Sequence, residues 1–99
     1  MKGRPAREGF LFLKTLKNNL GLSRFAVVAG KEVSKKAVVR NRLRRRISEI
    51  IRIKLKTKGI KSGTGVDGVI IALPGAEKMD FVQLRRAIEK IFAKAKITK

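Results

Sequence analysis

The sequence predicts a small α+β domain, a two-layer sandwich with helices on one side of a mixed sheet, and three observations carry that prediction. An arginine-rich segment repeats apolar residues at helical spacing, a later segment is apolar without interruption up to Pro74-Gly75, and a last segment is amphipathic behind an Asp80–Gln83 capping signal. With two short apolar runs ahead of them, the expected order is β-β-α-β-α in a single domain over residues 1–99.

Residues 1–9 hold Gly3, Pro5 and Gly9 among Lys2, Arg4 and Arg7 without periodicity, so a mobile basic arm is expected there. Residues 10–16 are rich in aromatic and aliphatic side chains and too short for a helix, which favours a strand. Alternation then places Phe10, Phe12 and Lys14 on one face and Leu11, Leu13 and Thr15 on the other. Asn18-Asn19-Leu20-Gly21 is turn chemistry, and residues 24–29 read as the second strand of an antiparallel hairpin, with Phe25, Val27 and Ala29 on its core side.

Ser34 is placed to cap the basic helix, which is expected to run to about Lys56 and to stop before Gly59. Val39, Leu43, Ile47 and Ile50 form its apolar stripe. Around that stripe stand Arg40, Arg42, Arg44, Arg45, Arg46 and Arg52, with Asn41 and Ser48 on the wet face and Glu49 as the helix's only acid. Like charges one turn apart repel, so this many arginines with one internal partner are poorly explained as surface salt bridging. A solvated charged face is the bland alternative. Arginine's planar fork, which binds phosphate through two donors and stacks on bases, favours an external polyanion.

Residues 57–65 are expected to form a flexible loop, and residues 66–73 a strand buried on both faces at the centre of the sheet. The glycine-rich strings at residues 62–68 lack a following Gly-Lys-Ser/Thr and lead into a strand, so they do not make a phosphate loop. Asp80 with Gln83 caps the last helix, whose stripe is Phe81, Leu84, Ile88, Ile91, Phe92 and Ala95. Arg85, Arg86, Glu89, Lys90 and Lys94 face water on it.

Composition narrows the partner. Lys and Arg total 26 against 7 acids, a formal charge of +19, while 43% of residues are hydrophobic, too many for a disordered basic tail. Nucleic acid is the first candidate. No residue is Cys or His, which removes thiol nucleophiles, an imidazole base and the usual transition-metal ligand sets. With Asp67, Glu77 and Asp80 scattered over turns, no catalytic site and no metal site is expected in the protein. No apolar run is long enough to span a bilayer, and the basic helix lacks the bulky apolar face of a membrane-lying one, so a cytoplasmic location and no membrane partner are expected.

The string Ala37-Val38-Val39-Arg40-Asn41-Arg42-Leu43-Arg44-Arg45, after Ser23-Arg24-Phe25 and Gly30-Lys31, resembles the protein component of bacterial ribonuclease P. Asp67-Gly68-Val69-Ile70-Ile71-Ala72-Leu73-Pro74-Gly75-Ala76 is similar to that family's third strand and following turn, and the resemblance spans roughly residues 9–97. It implies an α+β sandwich in which the basic helix joins two parallel strands by an unusual left-handed crossover. It also implies a large catalytic RNA as partner, which with Mg²⁺ removes 5′ leaders from precursor tRNA, the protein contributing no cofactor of its own. Carried over by position, Lys31, Lys36, Arg40, Asn41, Arg42, Arg44, Arg45 and Arg46 would touch that RNA. Phe10, Phe12 and Lys14 would face the single-stranded leader, through stacking and backbone tracking; for Phe12 a plain core role stands beside this one. Two departures stand out. The family's usual N-terminal helix, with its aromatic residues, is apparently missing, and Glu32 and Ser34 occupy loop positions where the family often has Lys and Gly. The alternatives are another small basic RNA-binding protein such as a ribosomal one, a nuclease acting alone and a DNA-compacting protein.

Overall fold

Leu11, Leu13 and Thr15 alternate with Phe12, Lys14 and Leu16, and in the computed structural model, which describes residues 4–18, 23–56 and 65–95, this segment is a strand that buries the first set. The described strands are β1 (Arg4–Glu8), β2 (Leu11–Asn18), β3 (Arg24–Ala29) and β4 (Gly65–Ala72), and the helices are α1 (Ala37–Lys56) and α2 (Phe81–Lys94), with one 3-10 turn at Ala76–Lys78. They form one sheet in the order β1-β2-β4-β3, with β3 and β4 parallel and the other pairs antiparallel. α1 is the connection between the two parallel strands. It lies over β3, while α2 lies over β1 and β2, so both helices cover the same face.

Three expectations need correction. Residues 4–8 are a strand, not an arm: Gly9, at φ 57, makes a two-residue turn that pairs Glu8 with Leu11. The turn residues that hid this strand are consistent with it, because Pro5 lacks an N–H and suits an edge position. The second correction concerns the hairpin. β2 and β3 do not pair; β4 lies between them, since its continuous apolar run uses both of its hydrogen-bonding edges. Third, β4 is central as expected but, among the described residues, is covered on one face only. Val66, Ile70 and Ala72 are buried, whereas Val69 is 37% exposed on the side that carries no helix.

The remaining elements follow their sequence signals closely. Leu43, Ile47, Ile50 and Ile51 of α1 are buried, as are Leu84, Ala87, Ile88, Ile91 and Phe92 of α2. Phe25 of β3 stacks on Phe92 at 5.3 Å between ring centres, joining sheet to helix. Each such Leu, Ile or Phe side chain stabilises the fold by about 1.5–3 kcal/mol when fully buried. The capping box forms in both directions: Gln83 N donates to Asp80 Oδ1 at 2.8 Å, and Asp80 N donates to Gln83 Oε1 at 2.9 Å. Phe81, expected in the stripe, is 41% exposed because it stands at the first helical position, ahead of the packed turns. The expected loop over residues 57–65 lies outside the described residues except for Gly65, which begins β4.

Candidate nucleic-acid interface

The wet face of α1 is a consequence of where the acids are. All seven acids fall within the described residues. Four of them form ion pairs: Glu8 with Lys94 at 2.7 Å, Glu49 with Arg52 at 2.6 Å, Asp67 with Arg24 at 2.8 Å and Glu89 with Lys54 at 3.5 Å. Asp80 is used by the helix cap, and Glu77 Oε1 accepts from Gly75 N at 2.9 Å. The pairs hold Glu8, Glu49 and Asp67 below the usual carboxylate range, in each case chiefly through the hydrogen bond from the partner cation. Among the described residues, none of Lys31, Lys36, Arg40, Arg42, Arg44, Arg45 and Arg46 has a carboxylate partner.

These cations are not equivalent. Arg42, Arg45 and Arg46 are exposed along α1, and Lys31 and Lys36 are exposed in the segment that leads into it. Arg44 is also exposed and donates to Asn41 Oδ1, which leaves the Asn41 amide group free to donate outward. Arg40 differs. It lies three residues before Leu43 and seven before Ile47, on the line of the buried stripe, and is half-buried. Its Nη1 donates to the carbonyl oxygens of Ser34 at 3.0 Å and Lys35 at 3.1 Å, tying the preceding loop to the helix. Ser34 itself sits two residues ahead of the cap: its Oγ accepts from Lys36 N at 3.2 Å, and the carbonyl of Lys36 accepts the first helical N–H groups.

An open groove of about 710 Å³ follows this face, lined by Val38, Asn41, Arg44, Arg45, Ser48, Glu49 and Arg52. Apart from Glu49, which Arg52 engages, its polar groups are donors or hydroxyls. Such a surface matches phosphate oxygens and acceptor edges of bases, the chemistry of polynucleotide binding.

The aromatic set divides. Phe12 is half-buried and Lys14 exposed on the helix-free face of the sheet, where Phe12 is in register with Ile71 of β4 and Arg7 of β1. Phe10 does not share that face. It is in the β1–β2 turn, its ring is set against Gly75, and it faces a groove shared with α2. The strand begins one residue later than the aromatic run, which is why alternation misplaces it. Two further exposed cations adjoin these residues, Lys35 beside Lys36 and Arg7 in register with Phe12.

Comparison with known proteins agrees with this geometry. The chain is 42% identical over 77 residues to the ribonuclease P protein component of Microcystis aeruginosa, covering 78% of this chain and 61% of that protein. It is 38% identical over 85 residues to that of Dehalococcoides mccartyi, covering 86% and 65%. The matched part thus spans under two-thirds of these relatives' own length. In fold it is similar to the RNase P proteins of Staphylococcus aureus, with TM-score 0.83, 22% identity and coverage of 98% of this chain and 84% of that one, and of Thermotoga maritima, with 0.80, 24%, 93% and 83%. The family model for ribonuclease P matches residues 1–96, which leaves only the last three residues outside it. A match of that extent, on a sheet and helix arrangement shared with solved members, means that the chain belongs to the ribonuclease P protein family.

Proposed function

We propose that this chain is the RNA-binding protein subunit of a ribonuclease P ribonucleoprotein, an endoribonuclease that removes 5′ leaders from precursor tRNA in the cytoplasm. One observation carries the reading: α1 presents Arg42, Arg45 and Arg46 to solvent, with no carboxylate among the described residues paired to any of them. In this reading the ribonuclease P RNA lies along α1 and the loop from Lys31 to Lys36. Precursor tRNA passes its unpaired leader over the helix-free face of the sheet, against Phe12 and Lys14.

The protein contributes position and charge, and the RNA contributes the reaction. The carboxylates are dispersed, and those at Glu8, Glu49, Asp67 and Glu89 are already engaged by cations, so they do not converge as a metal-holding set. In this reading Mg²⁺ for phosphodiester hydrolysis is held by the RNA subunit, and the protein alone is expected to be inactive. Screening phosphate repulsion between RNA and substrate is what a highly basic subunit does best when Mg²⁺ is scarce.

The test is reconstitution. A bacterial ribonuclease P RNA and precursor tRNA are mixed at low Mg²⁺, with and without the purified chain, and release of the 5′ leader is followed. Faster cleavage with the protein, and none by the protein alone, is expected. An unchanged rate refutes the proposal.

A further inference from the structure

The edge of the molecule away from α1 carries a second basic surface, which RNA lying along α1 would leave free. α2 holds Arg86 and Lys90 on the flank that faces the β1–β2 turn, and with Phe10, Gly9, Met79 and Gln83 they line a groove of about 320 Å³. Glu8 is the one acid that lines it, and its charge is already engaged: Lys94 Nζ contacts Glu8 Oε1 at 2.7 Å and also donates to the carbonyl of Arg7 at 2.9 Å. What the groove offers a visitor is therefore one aromatic ring and cations.

The ring is held as a platform. The carbonyl of Phe10 accepts from Leu73 N at 2.8 Å, and a Cβ built on Gly75 would lie only 2.6 Å from the Phe10 ring. Gly75, at φ 108, thus leaves the space that lets the ring rest on backbone. Even so, 46% of Phe10 remains exposed. A phenylalanine fixed from behind and open in front, beside an arginine and a lysine, has the parts used to hold unpaired nucleotides: a stacking face and cations for the backbone.

We propose that the β1–β2 turn and α2 form a second nucleic-acid subsite that binds a single-stranded RNA segment, with Phe10 stacking on a base and Arg86 and Lys90 taking its phosphates. It deepens the reading of the chain as an RNA-binding subunit and rests on it. The subsite is separate from the α1 face. α2 covers β1 and β2 and α1 covers β3, and in a four-strand sheet the outer strands stand about 14 Å apart. The molecule then links two RNA segments, one at each edge of its helical layer.

The experiment uses the full chain with Arg42, Arg45 and Arg46 replaced by Ala, so that the α1 face no longer dominates. A single-stranded RNA of about eight nucleotides is titrated into it while backbone amide resonances are recorded. Resonances of Gly9, Phe10, Arg86 and Lys90 should shift together. Phe10→Leu, which keeps apolar bulk and removes the stacking face, should weaken binding roughly five- to hundredfold, and Phe10→Trp should restore it. Unchanged affinity in Phe10→Leu, or equal binding of duplex RNA of the same length, overturns the stacking subsite. Such a failure leaves the α1 reading intact, because that reading is judged by reconstitution with the ribonuclease P RNA and not by the oligonucleotide.

Discussion

Replacing Arg42, Arg45 and Arg46 together with Ala tests the α1 interface directly. All three are exposed and free of carboxylates among the described residues, so each is counted as neutralising one RNA phosphate. Every phosphate left without its arginine lowers the magnitude of the log affinity against log salt slope by roughly 0.7–0.9, so the triple variant should lose about 2.1–2.7 units. Over a fourfold rise in salt, the parent should then weaken by roughly 20- to 40-fold more than the variant. Fluorescence anisotropy with labelled ribonuclease P RNA across a salt series measures both slopes. The fold should survive, since none of the three touches the core, Ala is the better helix former, and repulsion between Arg42 and the pair Arg45 and Arg46 is relieved. Melting by circular dichroism should show an equal or higher Tm. Arg52→Ala, whose parent guanidinium is already engaged by Glu49 at 2.6 Å, should change the slope by less than one unit and serves as the comparison. A triple variant that stays folded and keeps the parental slope refutes the assignment of this face.

Two further outcomes follow from the packing and the ion pairs. Ile47→Ala removes a fully buried side chain on the α1 seam and should cost about 2–5 kcal/mol in denaturant unfolding, with Tm lower by roughly 8 °C or more. Asp67 receives Arg24 Nε at 2.9 Å, Arg24 Nη2 at 2.8 Å and Asn18 Nδ2 at 2.8 Å, and the Arg24 hydrogen bonds, then that of Asn18, hold its carboxyl below its ordinary 3.8. Because the unfolded chain takes up that proton first, the stability contributed by Asp67 is present above pH 3.8 and is lost as pH falls below it. Asp67→Asn should flatten the acid limb of Tm against pH, and an unchanged limb would show that the cluster at the ends of β2 and β3 adds nothing.

What sequence reading recovered, and what it missed, divide by the range of the signal. The seam of α1, the capping box of α2 and the central place of β4 are local periodicities, and each of them matches the structure. The pairing of strands is not local. Residues 24–29 look like the partner of residues 10–16, and only the later arrival of a more apolar strand displaces them; nothing within either segment announces it. β1 was lost for a related reason, since Pro5 and Gly9 carry turn signals whose meaning changes once a partner strand fixes the register. Arg40 shows the limit at the site itself. In the string it is one of six equivalent arginines on the helix. In the fold its position on the buried line sends its guanidinium to the carbonyls of Ser34 and Lys35, so its removal would loosen the loop as well as any hold on RNA.

The start of α1 shows what the basic face costs. A helix N-terminus carries the positive end of the peptide dipoles and favours acids, yet the first turn of α1 has none, and Lys35, Lys36 and Arg40 crowd it instead. Lys36 is the capping position, since its carbonyl accepts from Val39 N at 3.1 Å and Arg40 N at 3.2 Å. Lys36→Asp would supply both a side-chain acceptor and the favoured charge, and should stabilise the free protein by about 0.5–2 kcal/mol. The same change should weaken binding of ribonuclease P RNA and reduce its salt slope by roughly one unit or more, because one cation is removed and an anion put in its place. Opposite signs for stability and binding are what distinguish a helix end kept basic for a polyanion from one that is merely solvated. Higher stability with unchanged RNA affinity would remove Lys36 from the interface, and unchanged stability would show that the crowding of cations at this helix end carries no cost.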